Sequence, residues 1–305
     1  MPVRAGCVGD FRRRPAHPNH FPPSPVLSRI FSFIALWTVI IGSLWFGGAH
    51  AAVALLTLLS ALTLYEFYDL TEKMGARAFR WMGVSFSVLI TAGPYYTAYF
   101  HGGGDLSESL VTALIVLALI VSCVRVLKER DTASRVETIA ATVGGLVYIP
   151  FMLQFLVRML MRESDSGDNL VLCLWVIAVS KFCDVGALLT GLAFGRHKLA
   201  PSISPKKTWE GAVGGVLVSA GVGAAIAYFA ASRLPEALTP LIAALIATSL
   251  AIITIVSDLI ESAVKRRADT KDTGALIPGI GGAFDLTDSL ILTAPVAYFI
   301  FLFVA

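Results

Sequence analysis

The chain has 305 residues, of which 56% are hydrophobic and only 15% are charged. This composition, together with a mean hydropathy of +0.76, excludes an ordinary soluble domain and indicates a protein that crosses a membrane several times. The formal net charge of +3 is small, so the composition does not indicate a nucleic-acid partner.

The N-terminal residues 1–28 are rich in Arg, Pro and His and lack an apolar period, which predicts a disordered, basic cytoplasmic arm. Beyond this arm, about nine stretches are apolar enough for a transmembrane helix, which requires roughly 20 residues. The sequence therefore predicts an all-α, polytopic integral membrane protein with spans at residues 29–48, 51–70, 81–100, 108–127, 136–158, 169–194, 209–231, 238–262 and 287–305.

The positions of Lys and Arg predict the orientation of these spans. If the N-terminus lies in the cytoplasm, 20 of the 24 basic residues fall in cytoplasmic segments. Three others, Arg158, Arg162 and Arg233, fall in outside loops, and Lys181 lies within a span. Cytoplasmic loops are enriched in Lys and Arg, so this distribution predicts a cytoplasmic N-terminus. We expect a multi-pass protein of the inner or plasma membrane.

The first five spans, within residues 29–165, are mostly aliphatic and aromatic, which predicts a transmembrane scaffold. Glu66 is the one acidic residue well inside these spans, and Asp69 follows it at i+3. Either residue could help to hold the helix bundle, and a catalytic role for Glu66 is left open. The four cysteines show no metal-binding or redox spacing, so we interpret them as small hydrophobic residues.

Residues 166–305, with spans 6 to 9, differ because they carry charge within and between the spans, which predicts a catalytic transmembrane domain. Lys181 and Asp184 lie at i and i+3 within span 6, so they can pair inside the bundle. An ionisable pair within a span is costly and points to a functional site, although a purely structural pair would look the same.

The loop after span 6 contains the sequence S-P-K-K-T-W-E-G, from Ser204 to Gly211. Thr208 is suited to cap the N-terminus of span 7. Lys206 and Lys207 directly precede this helix start, a combination that favours binding of phosphate groups. A positive-inside loop could have the same composition, and the glycine-lysine pattern of a P-loop is absent.

The most polar stretch, residues 257–289, follows the apolar part of span 8 and reaches into span 9. Four of its side chains recur at i, i+3, i+4 and i+7, and therefore share one helix face: Asp258, Glu261, Ser262 and Lys265.

A second acidic pair, Asp285 and Asp288, follows a Gly-rich turn in the same stretch. Carboxylates on both sides of such a turn can converge on one hard divalent cation. A divalent cation beside lysines is the equipment of phosphoryl or nucleotidyl transfer. The stretch therefore predicts such a site, rather than an ordinary charged loop.

These two stretches resemble the phosphatidate cytidylyltransferase family, the CDP-diacylglycerol synthases. The family's S-P-K-K-T-x-E-G element is intact in this chain. Its longer signature, S-x-x-K-R-x-x-x-x-K-D-x-G-x-x-x-P-G-H-G-G-x-x-D-R-x-D, is matched in register by Ser262, Lys265, Arg266, Lys271, Asp272, Gly274, Pro278, Gly279, Gly281, Gly282, Asp285 and Asp288.

Three positions depart from the family pattern. Ile280 stands where His is usual, Leu286 where Arg is usual, and Ser257 where Gly is usual. The loss of the His or the Arg puts substrate handling or a proton-transfer aid in doubt. A catalytically inactive paralogue is therefore kept as an alternative.

The resemblance implies that CTP and phosphatidic acid condense to CDP-diacylglycerol and pyrophosphate at a site facing the cytoplasm. It implies catalytic roles for Asp258, Asp285, Lys265, Lys271 and Asp184. It implies substrate-binding roles for Ser204, Lys206, Lys207, Ser262 and Arg266. The expected Mg²⁺ ligands are Asp258, Asp285, Asp288 and Glu261.

The expected partners are CTP, phosphatidic acid and the lipid bilayer. A homodimer and a second, monovalent ion are further possibilities that the sequence does not decide. A transporter would distribute polar residues through spans of both halves, whereas here the charge is concentrated in the second half. A membrane lipid kinase would use similar phosphate-binding residues. Its lipid product would carry a phosphate instead of a cytidylyl group, so product identity separates the two.

Overall fold

The computed structural model describes residues 26–102, 104–128, 135–162, 168–270, 273–274 and 281–304. These residues form helices joined by short connections, together with one small hairpin. In chain order the elements are α1 (Val26–Lys73), α2 (Arg80–His101), α3 (Gly104–Val126), α4 (Arg135–Tyr148), α5 (Pro150–Leu160), α6 (Asn169–Phe194), β1 (Lys198–Ala200), β2 (Ser204–Thr208), α7 (Trp209–Phe229), α8 (Pro240–Arg267), α9 (Ala283–Ile291) and α10 (Thr293–Val304).

The predicted polytopic helical membrane fold is confirmed. Seven helical segments among the described residues are long and apolar enough to cross a membrane. They are Gly42–Lys73, Ser109–Val126, Arg135–Leu160, Asn169–Phe194, Trp209–Phe229, Pro240–Arg267 and Ala283–Val304. The count of nine crossings and the cytoplasmic N-terminus stay predictions.

The difference between nine and seven arises in the first three predicted spans. Spans 29–48 and 51–70 both lie in α1, which is interrupted at Gly48, where φ is 52° and ψ is −132°. A positive φ of this kind favours glycine, and it allows a bend without ending the helix. The third predicted span coincides with α2, a 22-residue helix whose apolar character is diluted by Gly, Ser, Thr and Pro94.

Two other predicted spans are each divided into two helices. Span 136–158 becomes α4 and α5, with Pro150 at the first position of α5. Span 287–305 becomes α9 and α10, and the ring of Pro295 would clash with the carbonyl of Ile291, where α9 ends. Proline therefore accounts for both interruptions, and each pair of helices still forms one membrane-length segment.

Small residues allow α6 and α7 to pack with their backbones close together. A Cβ atom on the buried Gly215 would lie only 2.7 Å from the carbonyl oxygen of Cys183 and 3.0 Å from the Cβ of Ala187. Close packing through small residues is the usual way in which membrane helices associate, because lipid supplies no hydrophobic driving force between them. This contact places the N-terminal end of α7 beside α6.

The two halves of the chain share their apolar cores. One core joins Val53 of α1 and Leu156 of α5 to Trp175 of α6 and Leu250 of α8. The other core includes Phe284 of α9, which packs with helices of the first half. Helices predicted as scaffold thus directly support those predicted as catalytic.

A two-stranded β-hairpin lies between α6 and α7. Its strands β1 and β2 are antiparallel, with Lys198 opposite Thr208 and Ala200 opposite Ser204. The predicted cap is present, because the Thr208 hydroxyl accepts a hydrogen bond from the Gly211 amide at 3.1 Å. The hairpin is therefore held at the N-terminus of α7.

Candidate active site

Three carboxylates from two helices meet at the centre of the site. Asp258 and Glu261 lie one turn apart on α8, and Asp288 lies on α9. Ligand oxygens of the three residues lie within 4.8 Å of one another. Glu261 is buried, with 1% of its side chain exposed, whereas Asp258 and Asp288 are partly accessible, at 27% and 14%. Such a set of oxygen ligands suits a hard divalent cation.

Lysines from two elements contact this cluster from different sides. Lys207 of β2 forms an ion pair with Asp258. Lys181 of α6 lies 3.7 Å from an Asp288 oxygen and 3.9 Å from an Asp184 oxygen. The predicted pairing of Lys181 with Asp184 within α6 is thus present, and Lys181 also reaches a carboxylate on a second helix, α9.

A third lysine, Lys265, bridges α8 and α9. Its ammonium lies 2.5 Å from a Glu261 oxygen and 2.9 Å from an Asp285 oxygen. Lys265 and Glu261 are separated by one helical turn, so this pairing is local, whereas the contact with Asp285 depends on how α8 and α9 pack. The cluster is therefore a connected network rather than separate ion pairs.

The network contains more negative than positive charge. Its five carboxylates belong to Asp184, Asp258, Glu261, Asp285 and Asp288, whereas only three lysines contact them within the described residues. Uncompensated negative charge is costly where water is scarce, so this excess of carboxylates favours the binding of a cation. The donor set and the charge both fit Mg²⁺.

Asp285 lies beside the three-carboxylate cluster rather than in it. One of its oxygens contacts Lys265, and the other accepts a hydrogen bond from the Gly282 amide at 2.9 Å, at the start of α9. A carboxylate in the first turn of a helix is stabilised by such contacts with free backbone amides. Of the four residues expected to bind Mg²⁺, the structure therefore groups Asp258, Glu261 and Asp288, and it places Asp285 at the edge of this cluster.

Adjacent lysines of β2 have different surroundings. Successive side chains of a strand point to opposite faces, so Lys207 reaches the acidic cluster while Lys206 is exposed. Ser204 is half-buried in the same strand. Of the two lysines predicted to bind substrate, the structure brings Lys207 into the described network.

The end of α8 carries two further residues that were predicted to bind substrate. Ser262 is half-buried, and Arg266 is exposed and donates a hydrogen bond of 3.4 Å to the carbonyl of Ile203 in the hairpin. This bond ties the hairpin to α8. Lys271, predicted to be catalytic, lies outside the described residues.

Two serines beside the charged network, Ser257 and Ser289, make contacts that the sequence did not indicate. The Ser289 hydroxyl accepts a hydrogen bond from the Lys181 ammonium at 2.7 Å. The Ser257 hydroxyl donates to the backbone carbonyl of Asp288, and so links α8 to α9. Ser257 is one of the positions that depart from the family pattern, and its hydroxyl contributes a contact that glycine could not make.

The first half of the chain also reaches this region, through Glu66 of α1. Its carboxyl group accepts hydrogen bonds from the Thr273 hydroxyl at 3.1 Å and from the Phe284 amide at 2.9 Å. An acidic residue alone in an apolar span was the only sequence signal for this contact. The residues that it would meet, more than 200 positions away, could not be read from spacing.

The fold and the site define a polytopic membrane protein with an acidic, lysine-lined centre of the kind that handles phosphate groups. Residues 27–304 match the sequence profile of the cytidylyltransferase family. Because this match covers nearly the whole chain, the chain belongs to the cytidylyltransferase family.

Individual relatives are named phosphatidate cytidylyltransferases. A protein of Rickettsia felis is 40% identical over 166 residues, which cover 51% of this chain and 68% of that protein. A protein of Brucella suis biovar 1 is 32% identical over 276 residues, which cover 90% of this chain and 93% of that protein. The match to a Mycobacterium bovis protein, at 34% identity, covers 53% of this chain, and the chain spans about half the length of that relative.

Proposed function

We propose that this protein is a phosphatidate cytidylyltransferase, which transfers a cytidylyl group from CTP to phosphatidic acid. The observation that carries the proposal is that the two sequence stretches, residues 204–211 and 257–289, meet in one charged site, where Lys207 of the hairpin pairs with Asp258 of α8. The relative from Brucella suis, which bears this name and aligns over 93% of its length, supports the same reaction.

In the proposed reaction, a phosphate oxygen of phosphatidic acid attacks the α-phosphorus of CTP. The new phosphorus–oxygen bond forms as the bond between the α-phosphorus and the bridging oxygen breaks, and pyrophosphate leaves with that electron pair. This displacement requires no covalent intermediate with the enzyme. Catalysis would then consist of positioning the two anionic substrates and neutralising their charge.

Asp258, Glu261 and Asp288 would hold Mg²⁺, and Asp285 would act from the edge of the cluster. When bound, the cation would neutralise charge on the phosphate oxygens and orient the leaving group. Asp184 would complete the acidic side through Lys181, with which it pairs at 3.9 Å. A second, monovalent ion is a further part of the proposal.

The lysines would bind the phosphate groups of the substrates. Lys207, with Lys206 from the exposed face of the strand, would contact the CTP phosphates. Lys265 and Arg266, with Lys271, would contact the phosphatidate head group or the departing pyrophosphate. An ammonium group has three donors, so a lysine that holds a carboxylate can still donate to a phosphate oxygen.

Hydroxyl groups of Ser204 and Ser262 would add hydrogen bonds to these substrates. The acyl chains of phosphatidic acid would remain in the bilayer, and the charged site would face the cytoplasm, where CTP is available. A homodimer is part of the proposal and would be checked by the mass of the purified protein in detergent.

The test uses membranes that contain the full-length chain, phosphatidic acid, Mg²⁺ and CTP labelled either in the cytosine ring or in the γ-phosphate. Cytidylyl transfer moves the cytosine label into the lipid extract, leaves the γ-label in water, and stops when EDTA is added. A lipid kinase that uses CTP would move only the γ-label. Absence of both labels from the lipid, with folded protein present, would contradict the proposal and favour an inactive paralogue.

A further inference from the structure

Glu66 lies in α1, on the half of the chain that carries none of the recognised motif residues, yet its carboxyl group is built into the site region. The residue is buried, with 8% of its surface exposed. One oxygen, Oε2, accepts both of its hydrogen bonds, from the Thr273 hydroxyl and from the Phe284 amide. These two donors lie on either side of the Gly-rich turn between α8 and α9.

The backbone at Gly274 and Gly282 approaches Glu66 so closely that side chains are excluded at both positions. A Cβ atom on Gly274 would lie 2.6 Å from the Oε1 atom of Glu66. A Cβ atom on Gly282 would overlap with both carboxyl oxygens. The glycines therefore allow both ends of the turn to reach one carboxyl group.

The contacts continue from Glu66 into the acidic cluster. Gly282 precedes α9, and its amide donates to Asp285, whose other oxygen contacts Lys265. Phe284 lies in the first turn of the same helix, four residues before Asp288. The carboxyl group of Glu66 therefore contacts the first turn of α9, the helix that carries Asp285 and Asp288.

Glu66 is held by hydrogen bonds from neutral donors. Among the residues that the structure describes, no lysine or arginine forms an ion pair with Glu66, and its partners are neutral hydrogen-bond donors. A buried carboxyl group without a cation is costly compared with a well-packed apolar side chain. Its described contacts, which join the residues on both sides of the α8–α9 connection, therefore point to a role in the geometry of this region.

We propose that Glu66 is a positioning residue. Its hydrogen bonds to Thr273 and Phe284 join the two sides of the connection between α8 and α9, and so place the carboxylates of α9 for catalysis. This inference rests on the proposed cytidylyl transfer. It predicts that loss of Glu66 lowers kcat far more than it raises KM for CTP, because the CTP-binding hairpin is held by separate contacts, including that of Arg266 with Ile203.

The experiment measures kcat, KM for CTP and thermal unfolding of the purified full-length protein in detergent. It compares Glu66→Leu, Glu66→Gln and Thr273→Val with the wild type. The matched control is Glu72→Gln, which alters an exposed acidic residue of the same helix that pairs with Arg77 and Arg80. Activity of the wild type is measured first. Absence of the proposed reaction is thus distinguished from absence of a positioning role for Glu66.

Glu66→Leu should lower kcat about 100-fold, the loss typical of misplaced catalytic groups. Glu66→Gln should stay within about tenfold of the wild type, because an amide oxygen accepts the same bonds more weakly than a carboxylate. Thr273→Val, which removes one donor, should also lower kcat, whereas Glu72→Gln should not.

Two results would overturn the inference. One is a Glu66→Leu protein that unfolds at the wild-type temperature and keeps its kcat; the other is a Gln variant as impaired as the Leu variant. If Glu66→Leu does not fold, the test rests on Thr273→Val. An unchanged kcat in that variant would likewise exclude the positioning role of Glu66.

Discussion

At the scale of single residues, the site is a network in which carboxylates and lysines restrain one another. Lys265 contacts Glu261 and Asp285, and Lys181 contacts Asp184 and Asp288. Partners separated by three or four residues on one helix could be predicted from the sequence. Partners on different helices could not, because their meeting depends on how the helices pack.

The carboxylates of the central cluster should be sensitive to loss of charge alone. Asp258→Asn and Asp288→Asn should each lower kcat by about 10²- to 10³-fold, the range typical for loss of one group that stabilises charge. Asp269→Asn is the control, because Asp269 is exposed and adopts a φ of 51°, which Asn tolerates. A cluster variant with normal kcat and Mg²⁺ response would remove that residue from the proposed site.

Neighbouring lysines of the hairpin should differ in their effect on CTP. Lys207→Met should raise KM for CTP by about tenfold or more, since hydrogen bonds to charged groups are among the stronger ones. Lys206→Met should change KM for CTP less than about fivefold, because a phosphate contact made by an exposed side chain stays in water and contributes little. Equal effects of the two substitutions, measured by initial rates over a range of CTP concentrations, would contradict the assignment from strand alternation.

At the scale of elements, the site depends on close packing of α6 against α7. Gly215→Ala should destabilise the protein by about 1–3 kcal/mol, the usual cost of overpacking, because its Cβ would meet the Cys183 carbonyl. Gly221→Ala on the same helix is the control: it has open space and should be neutral or stabilising by up to about 1 kcal/mol. Thermal unfolding in detergent compares them, and equal stability would argue against this contact.

Breaks in the predicted spans also belong to this scale. The sequence was sufficient to locate apolar segments, and Pro150 and Pro295 were visible in it. Whether a proline divides a span or only bends it depends on neighbouring helices that can satisfy the freed backbone groups. The hairpin could not be predicted from the sequence, because strands of three and five residues leave little alternation to detect.

At the scale of the whole molecule, orientation in the membrane is the main expectation still to be tested. Ser202 lies in the exposed turn of the hairpin, and Ser232 lies in the exposed connection between α7 and α8. In a cysteine-free background, Ser202→Cys should react with an impermeant maleimide only from the cytoplasmic side, and Ser232→Cys only from outside. Labelling of both from one side would contradict the predicted topology.

The sequence by itself determined the class of fold, and it located most of the residues that form the candidate site. Composition is a sum over residues, and helical spacing is local, so apolar spans, the Thr208 cap and the shared face of Asp258 and Glu261 could all be predicted. Only the tertiary structure decided that Asp288 joins these two carboxylates while Asp285 caps α9, and that Glu66 reaches the same region. Such contacts depend on the packing of helices far apart in the chain, which local periodicity does not encode.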